Sequence, residues 1–396
     1  MEADWLRNLS EKLSCGERLS QPEVSMLLKA SDRLLPSLAA VSRRVKTSLR
    51  GNIVSYSRKV FIPLTRLCRN ACDYCAFRLP EPKPGEIYLK PGQVLSIAEA
   101  GVKAGCFEAL FTLGEKPEEK YPEAERELKA LGYSSTIEYL YECCRMVYRR
   151  TGLLPHSNPG VLSREELKML REVNVSMGLM LENVSSRLRL PGQPHQHSPG
   201  KEPKLRLATI EEAGRLKIAF TTGILLGIGE TPEETAESLK AILSLHQRYG
   251  HIQEVIIQPF RAKPGTPMAG RPEPSTGQTM KAIIAASLLY LADIPVQTPP
   301  NLWRLEALAK AVEAGIDDWG GVSPVTPDHV NPERAWPQIG LLRRAAEIWG
   351  FKFRVRLPIY PRYVVRETDF IPEAFREAVE KLTDRQGYVK EEYGWS

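Results

Sequence analysis

Val60-Phe61-Ile62-Pro63-Leu64-Thr65 reads as an apolar strand. It runs through Arg66 and Leu67 into Cys68-Arg69-Asn70-Ala71-Cys72-Asp73-Tyr74-Cys75. A strand that ends on a chemically loaded loop is the repeating unit of a (β/α) barrel, where the loops after the strands carry the chemistry. Further apolar strands are expected at 107–113, 152–156, 174–181, 218–226 and 254–259. Amphipathic helices are expected between them at 92–104, 135–150, 163–172, 209–217, 232–248 and 277–291. Near-continuous apolar strands alternating with helices predict a buried parallel sheet. Six such units in series predict an α/β fold of the TIM-type (β/α) barrel class, complete or partial.

The pattern weakens at both ends. Residues 1–50 read as a helical extension: Trp5, Leu6, Leu9 and Leu13 share one face, and Ser20-Gln21-Pro22-Glu23 is a helix start. The barrel core is expected over 51–300. Beyond 292 a seventh strand is expected at Pro295-Val296-Gln297-Thr298, and the C-terminal segment 301–396 follows with helices at 302–314 and 334–349. An apolar-basic alternation, Phe351 to Leu357, comes last. These segments either close the barrel to eight units or cap it.

Of 396 residues, 54 are basic and 48 acidic, a net charge of +6 with no Lys/Arg block, so nucleic acid is not an expected partner. No run of ~18 apolar residues and no signal-peptide core occurs, so no membrane span is expected and the cytoplasm is the default location. Seven cysteines, an odd number in a long chain, argue against a secreted disulfide scaffold. Cys106, Cys143 and Cys144 read as packing thiols.

Cys68, Cys72 and Cys75 fall on one short loop. Three thiolates can hold three irons of a 4Fe-4S cubane and leave the fourth open to a small molecule, while the cluster supplies an electron. Zinc held by three cysteines and a histidine is the alternative. The first histidine after Cys75 is His156, 81 residues on. At later strand ends, Gly114 leaves backbone open to a ligand and Glu115 can accept from an ammonium group. His156, Ser157 and Asn158 offer hydrogen-bonding groups on a turn, and Glu182 can accept from hydroxyls. Asp317-Asp318-Trp319-Gly320-Gly321 can line a substrate pocket. His195 and His197 lie on a Pro/Gly-rich loop, read as exposed.

The three-cysteine loop, with an aromatic before its last cysteine, is the signature of the radical S-adenosylmethionine enzymes, which this chain therefore resembles. The resemblance implies an open iron that chelates S-adenosyl-L-methionine and a 5′-deoxyadenosyl radical. It implies that the Tyr74 backbone lies near adenine and that Gly114 and Glu115 meet the methionine amino group. The segment Thr221 to Thr231, with Thr222 and Gly227, resembles an adenine-contacting region. Ser157 and Glu182 are added to this cofactor set, and His156, Asn158 and Asp318 are assigned to the substrate pocket.

Longer stretches resemble one family more closely, the deazaflavin-chromophore synthases in their stand-alone first-subunit form, over about residues 20 to 380. These are Ser55 to Arg69, Leu110 to Glu118, Pro155 to Gly160, Thr221 to Thr231 and Asp318 to Pro327. The resemblance implies a radical lyase that closes a hydroxybenzyl-dihydrouracil adduct into the deazaflavin ring and releases ammonia. It also implies a partner radical enzyme that transfers the hydroxybenzyl group and supplies the adduct, and a low-potential electron donor. A sister radical enzyme of menaquinone or other cofactor biosynthesis is the alternative.

Overall fold

The structure, a computed structural model, describes residues 2–393. Met1 and residues 394–396, the outermost ends of the expected N- and C-terminal segments, lie outside the described residues. Eight parallel strands close a barrel. They are β1 (Ile53–Pro63), β2 (Glu108–Thr112), β3 (Leu154–Asn158), β4 (Ser176–Gly178), β5 (Phe220–Leu226), β6 (Ile252–Pro259), β7 (Val296–Gln297) and β8 (Asp318–Val322). Strand β1 pairs with both β8 and β2, which completes the ring.

Strand alternation divides the residues into an inner and an outer set. Along β1, Val60 and Ile62 face outward and are fully buried under helix Pro91–Lys103. A Cβ on Gly101 of that helix would stand 2.8 Å from Val60 Cγ1, so a glycine is what lets the helix approach. Inward-facing Lys59 and Phe61 stand in register with Glu108 and Leu110 of β2. The layers of helix repeat around the ring with clear starts. Thr231 and Glu234 form a capping box before helix Pro232–Tyr249, as do Ser275 and Gln278 before helix Thr276–Tyr290. At the N-terminus, helices Gln21–Lys29 and Leu35–Arg50 pack on this outer layer.

Four expectations are corrected. The eighth barrel strand is Asp318–Val322, a segment read as a pocket loop. The alternation near 351–357 is instead a ninth strand, β9 (Lys352–Arg356). It pairs with residues 53–57 of β1, while residues 59–63 pair with β2. After β9 the chain crosses under the barrel: the Pro358 carbonyl accepts from Ser176 Oγ (2.7 Å) and Gln253 Nε2 (3.0 Å). Leu357, Ile359, Tyr360 and Tyr363 pack on Leu154, Val175 and Ala219 at the strand starts. The expected helix at 302–314 is two 3-10 turns and a short helix, Leu308–Glu313. Helix Pro203–Arg215 begins six residues before the expected 209, with proline in its first turn.

The floor of the barrel is ionic. Arg356 grips Asp318 through two bonds (Nε to Oδ2 and Nη2 to Oδ1, both 2.8 Å) and reaches Glu254 Oε2 at 3.1 Å. The Ser55 hydroxyl and the Gly320 N–H also donate to Asp318, and the Tyr360 hydroxyl donates to Glu254 (2.7 Å). Asp318 is therefore a structural counter-ion at the base of the barrel, a correction to its assignment as a pocket residue.

Candidate active site

The cysteine loop leaves β1 at the mouth of the barrel and is stitched to its neighbours by backbone bonds. Arg69 N–H donates to the Glu115 carbonyl (3.0 Å), Ala71 N–H to that of His197 (3.1 Å) and Asp73 N–H to that of Pro194 (3.0 Å). Cys68 Sγ accepts from the Glu115 N–H and Cys72 Sγ from the Ser198 hydroxyl, each at 3.2 Å. Both donors favour thiolate, whereas burial works the other way and pushes the Cys72 thiol up to about 12. A bound metal centre overrides such burial by deprotonating its thiol ligands.

Cys68, Cys72 and Cys75 line one cavity of about 230 Å³. Among the described residues, no three His, Cys, Asp or Glu side chains are gathered as ligands of a single metal ion. A tetrahedral zinc site draws its sulfurs to about 4 Å of one another, and no histidine lines this cavity. Three soft thiolates facing a shared space fit a larger iron–sulfur group instead.

Gly114 is held against this loop. A Cβ there would lie 1.9 Å from the Leu67 carbonyl oxygen and 2.9 Å from Cys68 Cβ. Its role is close approach between the loop and the end of β2. Gly114→Ala is expected to displace Cys68 and cut the iron bound after anaerobic reconstitution by more than half; wild-type iron content in the variant would contradict this packing role.

Glu115 is buried, with Arg69 Nε 2.8 Å from Oε1 and the Val161 N–H 3.2 Å from Oε2. Gly160 and Gly200 box it in, since a Cβ on either would meet its carboxylate at 2.3 Å or less. Glu182 sits in left-handed backbone (φ 64°) after β4, an uncommon conformation that marks a constrained site. Its carboxylate is a hub: Tyr74 and Lys201 bond it directly, with His195 Nε2 at 3.2 Å and Arg206 at 3.8 Å. Burial opposes ionisation, but Lys201, His195 and Arg206 together hold Glu182 well below the usual carboxylate range. Glu115, paired with Arg69, and Glu182, paired with Lys201 and Arg206, put both signs of charge on the wall of one cavity, which suits the ammonium and carboxylate of an amino-acid head group.

Several expected side chains point elsewhere. Ser157 donates to Asn174 (2.6 Å) and meets Cys144, on the outer face of β3, so its side chain points away from the site. Thr222 also faces out, accepting from Leu181 N–H (3.2 Å); its neighbour Thr221 lines the cavity. A one-residue step along a strand reverses the face. Gly227 (φ 87°) lines a different cavity, of about 390 Å³, between the β5 and β6 loops, which shares no wall with the cysteine cavity. His195, read as exposed, is buried and bonded to Tyr74 Oη at 2.9 Å, because its loop folds down over the cysteines.

Below the cysteine cavity lies a second space of about 280 Å³ inside the barrel, and the two share Asn158, Met180, Thr221 and Ile256 as walls. Its lining was largely missed from the sequence. Lys59 pairs with Glu108 (2.8 Å), Phe61 stacks on Trp336 (5.3 Å), and Glu254, Gln297 and Trp319 complete the wall. The available signal was charge at inward positions of otherwise apolar strands. His156 joins this space, with Nδ1 2.7 Å from Ser176 Oγ and Nε2 3.1 Å from Asn158. Ser176 in turn donates to the Pro358 carbonyl (2.7 Å), and Asn158 Oδ1 accepts at Nε2.

Burial lowers His156 to about 4, only partly offset by Glu108. A histidine neutral when folded but with an ordinary value near 6.5 when unfolded costs stability as acid is added. Its contribution is complete above about pH 6.5 and is lost progressively as pH falls toward about 4. In anaerobic urea titrations, His156→Gln is expected to lose about 2 kcal/mol less than the native chain between pH 7.5 and 5. Equal losses would place the titration elsewhere.

Comparison with known proteins gives the family of the chain. The radical SAM superfamily model matches residues 62–242. The chain is 52% identical over 338 residues to the 7,8-didemethyl-8-hydroxy-5-deazariboflavin synthase of Methanopyrus kandleri, covering 85% of this chain and 100% of that protein. It is 46% identical over 389 residues to the FO synthase of Nocardia farcinica, spanning 96% of this chain but 45% of that longer one. In fold it is similar to the FeFe-hydrogenase maturase of Carboxydothermus hydrogenoformans (TM-score 0.70, 19% identity, 90% and 81% of the two chains). Methylornithine synthase is also similar (TM-score 0.67, 21% identity, 91% and 98%). No described helix is long and apolar enough to cross a membrane. Identity above one half along the whole Methanopyrus protein, on a barrel that carries the three-cysteine cavity, shows that this chain belongs to the 7,8-didemethyl-8-hydroxy-5-deazariboflavin synthase family of radical SAM enzymes.

Proposed function

We propose that this chain performs the ring-closing half of deazaflavin chromophore synthesis. It acts on 5-amino-5-(4-hydroxybenzyl)-6-(D-ribitylimino)-5,6-dihydrouracil as an ammonia lyase. The observation that carries this reading is the contact of two cavities: the three-cysteine space opens onto a barrel interior walled by both aromatic and polar side chains. The conversion forms one carbon–nitrogen bond between the phenol ring and the ribityl-bearing nitrogen. It expels ammonia and removes one hydrogen atom, one electron and one proton from the substrate.

Cys68, Cys72 and Cys75 hold a 4Fe-4S cluster, and Glu115, Glu182, Lys201 and Arg206 hold S-adenosyl-L-methionine. Bound there, the two supply hydrogen-atom abstraction and electron transfer. The chain's own residues do the rest. The Phe61–Trp336 pair provides an aromatic wall for the hydroxybenzyl ring. His156, held neutral by burial, and Asn158 line the interior and orient the polar part of the substrate. The closed ionic floor at Arg356 keeps water from entering below.

A partner radical enzyme makes the adduct. This division of labour is supported by the Nocardia relative, more than half of which lies beyond the match. The test is to supply purified adduct, S-adenosyl-L-methionine and reductant to the reconstituted chain alone. Ammonia and fluorescent deazaflavin in equal amounts are expected. Cofactor cleavage without either product would assign the chain to a different radical reaction.

A further inference from the structure

The polar side chains of the barrel interior fall into two sets. Toward the floor each one is bonded: Lys59 by Glu108, His156 by Ser176, and Glu254 by Arg356, Tyr360 and Thr221. At the C-terminal ends of the strands they are open. Thr112 ends β2, Asn158 ends β3, and Gln258 stands one residue before the end of β6. All three line the interior cavity, and all three are half-buried, with surface left for a ligand to touch. Among the described residues nothing bonds the Thr112 hydroxyl or the Gln258 amide, and Asn158 uses only its carbonyl oxygen, on His156.

Strand alternation aims these groups inward. Glu254, Ile256 and Gln258 line the cavity, while Val255 and Ile257 between them are fully buried on the outer face of β6. On β3, Asn158 follows cavity-lining His156 by two and stands in register with Thr112 of β2. Gly178 on β4 clears the space beside it, since a Cβ there would lie 2.3 Å from Asn158 Oδ1. In the eight-strand ring β2 and β6 are four places apart, so Thr112 faces Gln258 from the opposite wall. None of the three carries a charge. Hydroxyl and primary amide alike can both donate and accept.

We infer that Gln258, with Thr112 across the cavity from it, binds the ribityl hydroxyls of the substrate and sets specificity for that polyol. This rests on the reading of the reaction given above and assigns specificity-determining groups within it. The layout selects the ligand chemistry. Neutral groups that donate and accept match hydroxyls, which do the same, and offer no counter-charge to an ionic ligand. Groups on opposite walls are reached together by an extended chain, whereas the flat edge of a uracil ring presents its polar atoms to one wall at a time. The ribityl chain is the part of the adduct that is both extended and hydroxylated. A site built to bond hydroxyls discriminates against a ligand that lacks them, because its own polar groups then stay unpaired.

The product deazaflavin keeps the ribityl chain and is fluorescent, so it serves as the probe. Binding of 7,8-didemethyl-8-hydroxy-5-deazariboflavin, and of the analogue with methyl in place of ribityl, is measured by fluorescence titration of the cluster-loaded full chain. The native chain is expected to bind the methyl analogue about tenfold more weakly or worse. Gln258→Leu and Thr112→Val are each expected to weaken the ribityl compound about fivefold and to leave the methyl analogue unchanged, which also shows the pocket intact. In turnover, Gln258→Leu is expected to raise the KM for the adduct about fivefold, with kcat within about twofold of native. Equal binding of the two ligands by the native chain overturns the inference, with no dependence on how the variants fold. Variants that weaken both ligands alike, or a Gln258→Leu chain with native KM, overturn it as well. Conversion of the adduct by the native chain in those cases leaves the proposed reaction standing. A native chain that binds neither ligand and does not convert the adduct overturns the reaction itself.

Discussion

Cys72→Ser is expected to abolish deazaflavin formation and to strip the reconstituted protein of most of its iron and acid-labile sulfide, with the barrel still folded. The reason is topological. The cysteine loop lies outside the sheet, held by backbone bonds to the loops after β2 and β4 and by Ser198 at the Cys72 sulfur. The hydrophobic core runs through the strands and the surrounding helices and does not include the three cysteines. Removing one of three thiolates leaves too few ligands for the cluster. The unfolding free energy of the iron-free protein should change by less than about 1 kcal/mol, the usual range for a loop substitution away from the core. A variant that unfolds would show that the loop metal is structural.

Arg356→Met is expected to have the opposite profile, a large loss of stability with the cysteine loop untouched. Arg356 is the cation between Asp318 and Glu254, all three buried. Its positive charge is what permits two carboxylates to share the floor of the barrel. Methionine fills similar volume but leaves both acids without their counter-ion, and breaking a buried pair in this way costs about 3–5 kcal/mol. Urea unfolding at pH 7 measures it. The double variant Arg356→Met with Asp318→Asn should recover part of the loss; no recovery would mean that packing, not charge, is the source.

The units β1 to β6 were legible because their strands are buried on both faces and read as apolar runs, and the cysteine loop because its spacing has few other uses. What the sequence concealed follows one physical rule. β8 was missed because Gly320 and Gly321 are poor strand formers, and both are there to make room inside the barrel. A Cβ on Gly320 would strike Gln297, and one on Gly321 would lie 1.8 Å from Lys59 Cε. The demands of the interior thus override strand propensity where the pocket is built. Thr222 was chosen over Thr221, and Ser157 as a side-chain ligand, because a strand's register about the barrel axis is not written in local sequence. Asp318 lies in a segment rich in pocket residues, but its partner Arg356 is 38 positions away and arrives only through β9. His195 looked exposed on a Pro/Gly-rich loop until that loop was seen to fold over the cysteines.

The proposed function requires the three-cysteine cavity and the barrel interior to work together on one substrate. It is tested most directly by an anaerobic mixture of the reconstituted chain, reductant, S-adenosyl-L-methionine, tyrosine, 5-amino-6-(D-ribitylamino)uracil and the hydroxybenzyl-transferring partner. Fluorescent deazaflavin that appears together with 5′-deoxyadenosine, and only when this chain is present, is the predicted result. Deazaflavin formed equally well without the chain, or none formed while this chain binds its cluster and cleaves the cofactor, would contradict it.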